Sequence, residues 1–205
     1  MPDQTDEKAT ARSRFVNDRR ALGNQGRALQ ARAATIRLLA DPRLTSADTV
    51  AAYWPLGTEP DTRALIDALL ERGVRVVLPV LLADRDLDWA VYQGEPAALE
   101  GGGAGTLRPQ GSTLGADFVL RARVMIVPAL AVTATGVRIG RGGGSYDRVL
   151  ARIAEAAAAG QPAPWTCAFL YEGELGTLEP TAVEPHDRPV DAACTASRLV
   201  NFHSL

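Results

Sequence analysis

Residues 123–152 read RVMIVPALAVTATGVRIGRGGGSYDRVLAR. The apolar run Val124 to Val127, closed by Pro128, has the pattern of a buried strand. Val149, Leu150 and Ile153 fall at helical spacing, preceded by Tyr146-Asp147-Arg148. Between the two lie Gly140, Gly142, Gly143 and Gly144, with Arg138 and Arg141. Glycines let backbone N–H groups approach an anion closely, and a helix start adds unpaired donors and the positive end of a dipole. Asp147, in the helix's first turn, can cap it or reach a Mg²⁺ that bridges phosphates. A flexible glycine loop that merely precedes a helix would show the same glycines. The two arginines and the placement of Asp147 favour a phosphate site. The stretch lacks the Gly-Lys-Ser/Thr of a Walker A loop and is not a Rossmann fingerprint, so its class must come from the rest of the chain.

On its carboxyl side, the helix continues through an alanine-rich run to Gly160. Pro162 and Pro164 reset the chain, and Trp165 to Leu170 reads as the next strand. Strand, helix and strand make a βαβ unit. A second such unit lies upstream. Thr49 to Trp54 is a strand ending at Pro55, Gly57-Thr58-Glu59-Pro60 a turn, and Asp61 an N-cap for a helix through Leu65, Ile66, Leu69 and Leu70. Gly73 ends that helix, and Val74 to Leu78 is a strand closed by Pro79. Such units imply parallel pairing with right-handed crossovers. Asp88 to Tyr92 alternates like a half-buried hairpin partner. Gln93 to Asp117 is a long glycine-rich loop of the kind that is functional or mobile. Val190 to Thr195 is a further strand, with Asp187 just before it. At the other end, residues 1–7 are a polar, disordered tail. Lys8 to Ala40 is helical, with Leu29, Ala33, Ile36 and Ala40 as its apolar stripe, a break at Asn24-Gln25-Gly26 and a stop at Asp41-Pro42. The expected architecture is one three-layer α/β domain over residues 8–205: a mostly parallel sheet flanked by helices, with a ligand cleft at the strands' carboxyl ends.

The bulk properties narrow the function. A formal net charge of −2 argues against general nucleic-acid binding. No apolar run reaches the roughly 20 residues of a membrane span, and the polar N-terminus lacks a signal peptide's apolar core. A cytoplasmic monomer is the expectation. Cys167 and Cys194 sit in apolar runs as reduced packing residues, with no zinc spacing. Neither histidine forms a metal pair or accompanies a nucleophile motif. Lys8 and Arg12 share a helix face as i and i+4; by spacing alone this is a solvated basic face, although two such cations can also reach a phosphate. Trp54 and Glu59 stand at a strand's carboxyl end, where open α/β sheets place ligands. Taken singly they read as a core residue and a solvated turn residue.

Together these pieces resemble the 5-formyltetrahydrofolate cyclo-ligase family. VPALAVTATGVRIGRGGGSYDR is similar to the family's strand and its Gly-x-Arg-Leu-Gly-x-Gly-x-Gly-x-Tyr-Asp-Arg signature. Lys8-x-x-x-Arg12, the Trp54 to Thr62 turn with Glu59-Pro60-x-Thr62, and HDRPVD near the end follow in the family's order and at about its spacings. The resemblance covers residue 8 to roughly 196. It implies an enzyme that uses ATP and Mg²⁺ to convert 5-formyltetrahydrofolate to 5,10-methenyltetrahydrofolate, ADP and phosphate. Lys8 and Arg12 would then contact ATP phosphates, against the solvated-face reading. Arg138, Ile139, Gly140, Arg141, Gly142, Gly143, Gly144, Ser145 and Tyr146 would form the nucleotide loop, with Arg141 to Ser145 shared with the formyl-folate. Trp54 and Glu59 would line the folate pocket, Glu59 accepting from the pterin's donor edge. Asp147 and Asp187 would hold the metal, and Arg141, Tyr146 and Asp147 would act in catalysis. The family's mechanism makes the substrate the nucleophile: the formyl oxygen attacks the γ-phosphate, N10 closes the ring, and phosphate leaves. That accounts for a sequence with no Ser, Cys or Lys nucleophile motif. Two positions depart from the family. Ser145 replaces a frequent second aromatic, and Arg108, in Gly105-Thr106-Leu107-Arg108-Pro109, stands where Glu is common. The alternatives are phosphoryl transfer to another acceptor, and a nucleotide-binding regulator without turnover.

Overall fold

The computed structural model describes residues 4–177 and 188–202. Seven of its strands form one sheet in the order β11-β10-β9-β6-β1-β2-β3. β1 (Thr49–Ala51), β2 (Arg75–Leu81), β6 (Val124–Pro128), β9 (Trp165–Phe169) and β10 (Ala192–Cys194) pair in parallel. β3 (Leu87–Tyr92) and β11 (Leu199–Asn201) close the two edges antiparallel. The two βαβ units read from the sequence are present: β1–α4–β2, with α4 at Arg63–Glu71, and β6–α5–β9, with α5 at Ser145–Ala158. From β1 the chain winds out one way through β2, then returns to β6 on β1's other side and winds the opposite way. The carboxyl ends of β1 and β6 are therefore a topological switch point, where such sheets leave a crevice.

The alternation of apolar residues along the strands builds a core on each face. Val50, Val76, Val124, Ile126, Cys167 and Phe169 face one way and pack with Ala34 and Leu38 of α2 (Gly23–Leu39) and Leu65, Ile66 and Leu69 of α4. Ala51, Val77, Met125, Val127 and Ala168 face the other way, onto Val149, Leu150 and Ile153 of α5. That is the expected three-layer arrangement. α1 (Gln4–Ala21) stands apart, setting Phe15 on Leu130, Ala131 and Ile139 at the carboxyl end of the sheet.

Several local expectations are corrected. Helix α1 begins at Gln4, so the last four residues of the expected irregular tail are helical. The break between α1 and α2 falls at Leu22, beside Gly23 with its φ of +65°, and Asn24-Gln25-Gly26 is helical. The stripe Leu29, Ala33, Ile36 and Ala40 is not the buried one: Leu29 and Ile36 are 62% and 63% exposed, and α2 buries Ala31, Ala34, Thr35 and Leu38. With alanine at so many positions of α2, more than one helix face carries an apolar period, and alanine-lined Leu38 wins the close approach to the sheet. Asp41-Pro42 starts a further short helix, α3 (Pro42–Thr45), with Asp41 accepting from the Arg43 N–H. β2 runs through Pro79 to Leu81; Pro79 lies opposite Trp89 of the antiparallel edge strand β3. The 93–117 segment contains a small hairpin, β4 (Leu99–Gly101) with β5 (Leu107–Pro109), and another hairpin, β7 (Ala131–Val132) with β8 (Arg138–Ile139), leads into the glycine loop.

Candidate active site

A cavity of about 560 Å³ opens at the switch point. Of the residues singled out from the sequence, Lys8, Arg12, Trp54, Glu59, Arg138, Ile139, Gly140, Arg141, Gly142, Gly143, Gly144, Ser145, Tyr146 and Asp147 all line it. Asp187 lies outside the described residues. The basic helix is thus not a solvated face on the side that matters. Lys8 and Phe15 are buried, and Arg12 donates Nε–H to the Gly140 carbonyl at 3.0 Å, tying α1 to the glycine loop. Gly144 takes φ +77° at the N-cap of α5, a conformation that costs an L side chain about 1–2 kcal/mol, and the cap makes no side-chain bond. The first N–H groups of α5 are therefore not satisfied by a capping side chain and head the cleft. Gly142, at φ +92°, lies close under Arg12: a Cβ there would stand 3.5 Å from the Arg12 Cζ.

The charges are arranged in pairs. Arg138, with its side chain 4% exposed, donates to Asp147 Oδ1 at 2.6 Å, and its guanidinium lies 5.8 Å from the Tyr146 ring. Asp147 thus meets a cation rather than capping the helix through its own side chain. Glu59 has its side chain 10% exposed, accepts from the Leu56 N–H at 2.9 Å, and faces Arg141 at 3.6 Å. Burial pushes the Glu59 carboxyl above the usual carboxylate range, against the pull of the Leu56 N–H and Arg141. Burial likewise pushes the Tyr146 and Tyr53 hydroxyls up, with the negative charge of Glu59 adding to it, so both phenols stay protonated. The Glu59 turn is held from below. Tyr53 OH donates to the Pro60 carbonyl at 3.0 Å, Thr62 Oγ1 donates to the Tyr53 carbonyl at 2.6 Å, and Tyr171 OH donates to the Glu59 carbonyl at 3.2 Å. Trp54 meets Tyr92 edge-on, with ring centroids 5.4 Å apart.

The second departure noted in the sequence has a structural explanation. Arg108 lies directly across the hairpin from Glu100 and pairs with it, while its neighbours Thr106 and Leu107 line the cavity. Sequence reasoning missed Arg19, which also lines the cavity, together with Tyr53, Tyr171 and Glu174 around it. Arg19 was within reach, since it lies seven residues beyond Arg12 on the same helix face. Glu174 carried no signal.

The model of the 5-formyltetrahydrofolate cyclo-ligase family matches residues 4–196. The chain belongs to the 5-formyltetrahydrofolate cyclo-ligase family. Curated relatives agree along most of their length. The 5-formyltetrahydrofolate cyclo-ligase of Mycolicibacterium smegmatis is 39% identical over 158 residues, covering 75% of this chain and 76% of that one. That of Escherichia coli K12 is 30% identical over 186 residues, covering 88% and 96%. The NMR structure of Aquifex aeolicus 5,10-methenyltetrahydrofolate synthetase superposes with a TM-score of 0.78 at 22% identity, over 97% of this chain and 94% of that one. The Mycoplasma pneumoniae 5,10-methenyltetrahydrofolate synthetase gives 0.69 at 17%, over 92% and 98%. The α/β architecture of the cyclo-ligase family is thus that of this chain. The enzyme class is a ligase of folate one-carbon chemistry, and no helix among the described residues is long and apolar enough to cross a membrane.

Proposed function

We propose that the cleft converts 5-formyltetrahydrofolate to 5,10-methenyltetrahydrofolate at the expense of ATP. ATP binds on the side of α1 and the glycine loop, and the folate on the side of Glu59 and Trp54. The observation that carries this reading is the convergence on one cavity of Lys8 and Arg12, the 138–147 loop and the Glu59 turn, elements more than forty residues apart in sequence. Each side has the chemistry its ligand requires. Lys8, Arg12, Arg138 and Arg141 are cations, and the glycine loop and the start of α5 offer N–H groups, which together balance a triphosphate. Glu59, when ionised, offers only acceptors to a pterin edge that presents N–H groups.

The residues fit a Mg²⁺ ion that travels with the nucleotide. Among the described residues no group of three or more metal-ligating side chains gathers, but Asp147 presents a partly exposed carboxylate beside the glycine loop. One or two carboxylates plus phosphate oxygens and waters are a normal Mg²⁺ shell. Asp147 would hold the ion, with Asp187 as the second carboxylate, and Mg²⁺ would supply charge neutralisation at the phosphate oxygens. The chain's own residues align two substrates. The arginines and the loop's N–H groups fix the γ-phosphate, and the Glu59 turn fixes the pterin so that the formyl oxygen faces the phosphorus. That oxygen attacks, the bond to ADP breaks, and the formyl carbon gains a good leaving group. N10 then adds to this carbon, loses its proton, and inorganic phosphate departs.

Thermal-shift titration tests the reading. ATP–Mg²⁺ and 5-formyltetrahydrofolate should each raise the melting temperature, and do so further together. Stabilisation by nucleotide alone would support phosphoryl transfer to another acceptor, or a regulatory nucleotide-binding role, in place of this reading.

A further inference from the structure

Helix α1 carries Lys8 and Arg12 but has little to hold it hydrophobically. Its apolar contacts are Phe15, with Ala11 and Val16 partly covered, in a small cluster beside the main cores. A helix with no continuous apolar stripe takes its position from polar anchors. Arg19 is one of them, at 1% exposure, and its partner Glu174 is 3% exposed. Arg19 donates Nε–H to Glu174 Oε1 at 2.6 Å and an Nη2 hydrogen to Oε2 at 3.0 Å, a bidentate pair. Nη2 also donates to the carbonyl of Ala129, just past the end of β6 on the cavity wall.

Glu174 is itself tied to the other half of the cleft. Its Oε2 accepts the Tyr171 N–H at 2.9 Å, and Tyr171 OH donates to the Glu59 carbonyl at 3.2 Å. The Arg19 guanidinium also lies 5.5 Å from the Tyr171 ring centroid. We propose that Arg19 and Glu174 are positioning residues that set the phosphate-binding helix and the folate-binding turn in register across the cleft. Lys8, Arg12 and Arg19 share one face of α1, so a shift of Arg19 carries both cations with it. A shift of Tyr171 carries the backbone of Glu59. One buried pair thereby governs the relative placement of two ligands that must react with each other. The inference rests on the ATP and formyl-folate reading above.

The test uses Glu174→Gln, with Arg19→Lys as the second variant because it keeps the buried charge and loses the fork. Affinities for ATP–Mg²⁺ and for 5-formyltetrahydrofolate are measured separately by calorimetry, alongside melting temperature, KM and kcat. A positioning role predicts that both affinities weaken, and both KM values rise, by about tenfold, in protein that is folded at the assay temperature. A lowered melting temperature with both affinities at the wild-type value would overturn the proposal and leave the pair as fold stabilisation alone. Weakening of only one ligand would also overturn it, since the pair would then not join the two sides. If Glu174→Gln does not fold, Arg19→Lys is read against the same outcomes. Wild-type protein that binds no formyl-folate at all would instead defeat the functional reading, which keeps the two failures apart.

Discussion

Glu59 shows how far a single residue's role depends on its surroundings. In the sequence it is a turn residue before a proline; in the fold it is a nearly buried carboxylate with its pKa raised, chiefly by desolvation. Glu59→Gln keeps the size and introduces donors where an acceptor is needed. Loss of a hydrogen bond to a charged group, about 1.5–3 kcal/mol, should weaken folate binding roughly ten- to a hundredfold in a calorimetric titration. ATP affinity should not fall, because the substitution releases Arg141 from its ion pair with Glu59 toward the phosphate side. The pH dependence follows from the direction of the shift. Glu59 is protonated at a higher pH than an ordinary Glu, so wild-type folate affinity should decline on acidification while still above the usual carboxylate range, and the Gln variant should lack that limb. Linkage gives the stability sign: the folded state holds this proton more tightly than the unfolded, so Glu59's favourable contribution is lost as pH rises through the folded pKa. Glu59→Gln should therefore melt no lower than wild type at neutral pH. Asp147 behaves differently. Its bond to Arg138 means that Asp147→Asn removes a charge partner from a buried guanidinium, costing about 1–2 kcal/mol after allowing for Asp147's exposure. Turnover should also drop sharply; near-normal turnover in saturating Mg²⁺ would leave Asp147 as the partner of Arg138 and nothing more.

At the scale of elements, what was legible followed from period and punctuation. Both βαβ units announced themselves through short β-branched runs closed by proline, and through helices bounded by glycine. Asp61 is not the N-cap its place suggested: the cap is Thr62, which makes no side-chain capping bond, and Asp61, one residue earlier, accepts from the Arg63 N–H at 3.0 Å. What stayed hidden had no period to read. The β7–β8 hairpin pairs just two residues on each strand, too few to alternate detectably, yet it aims Arg138 at the site. β11 is three residues long and owes its place to the edge of β10. The apolar stripe of α2 was legible but ambiguous, because alanine satisfies several faces at once. This makes a direct comparison possible. Ile36→Gln, on the exposed stripe, should change stability by no more than about 0.5 kcal/mol, whereas Leu38→Ala, on the buried one, should cost about 2–5 kcal/mol in denaturant unfolding. Equal costs would put the stripe back where the sequence suggested.

For the whole molecule, the sheet's winding decides where chemistry is possible. The reversal between β1 and β6 leaves a crevice, and each of its walls ends in a loop with its own chemistry: the Glu59 turn after β1, and the β7–β8 hairpin with its glycine loop after β6. α1, from the other end of the chain, closes the third side with Lys8 and Arg12. The glycine loop and its arginines were legible because phosphate recognition has a local signature. The buried pair Arg19–Glu174 was not, because it joins residues 155 apart that only the fold brings together. The account as a whole stands on two substrates reacting across this crevice. The measurement that bears on it most directly follows the absorbance of 5,10-methenyltetrahydrofolate in purified protein given 5-formyltetrahydrofolate, ATP and Mg²⁺, with phosphate release recorded in parallel. The account predicts product only when ATP is present, with one phosphate released for each methenyl group formed. Bound ATP and bound formyl-folate with no methenyl product, or product formed at the same rate without ATP, would contradict it.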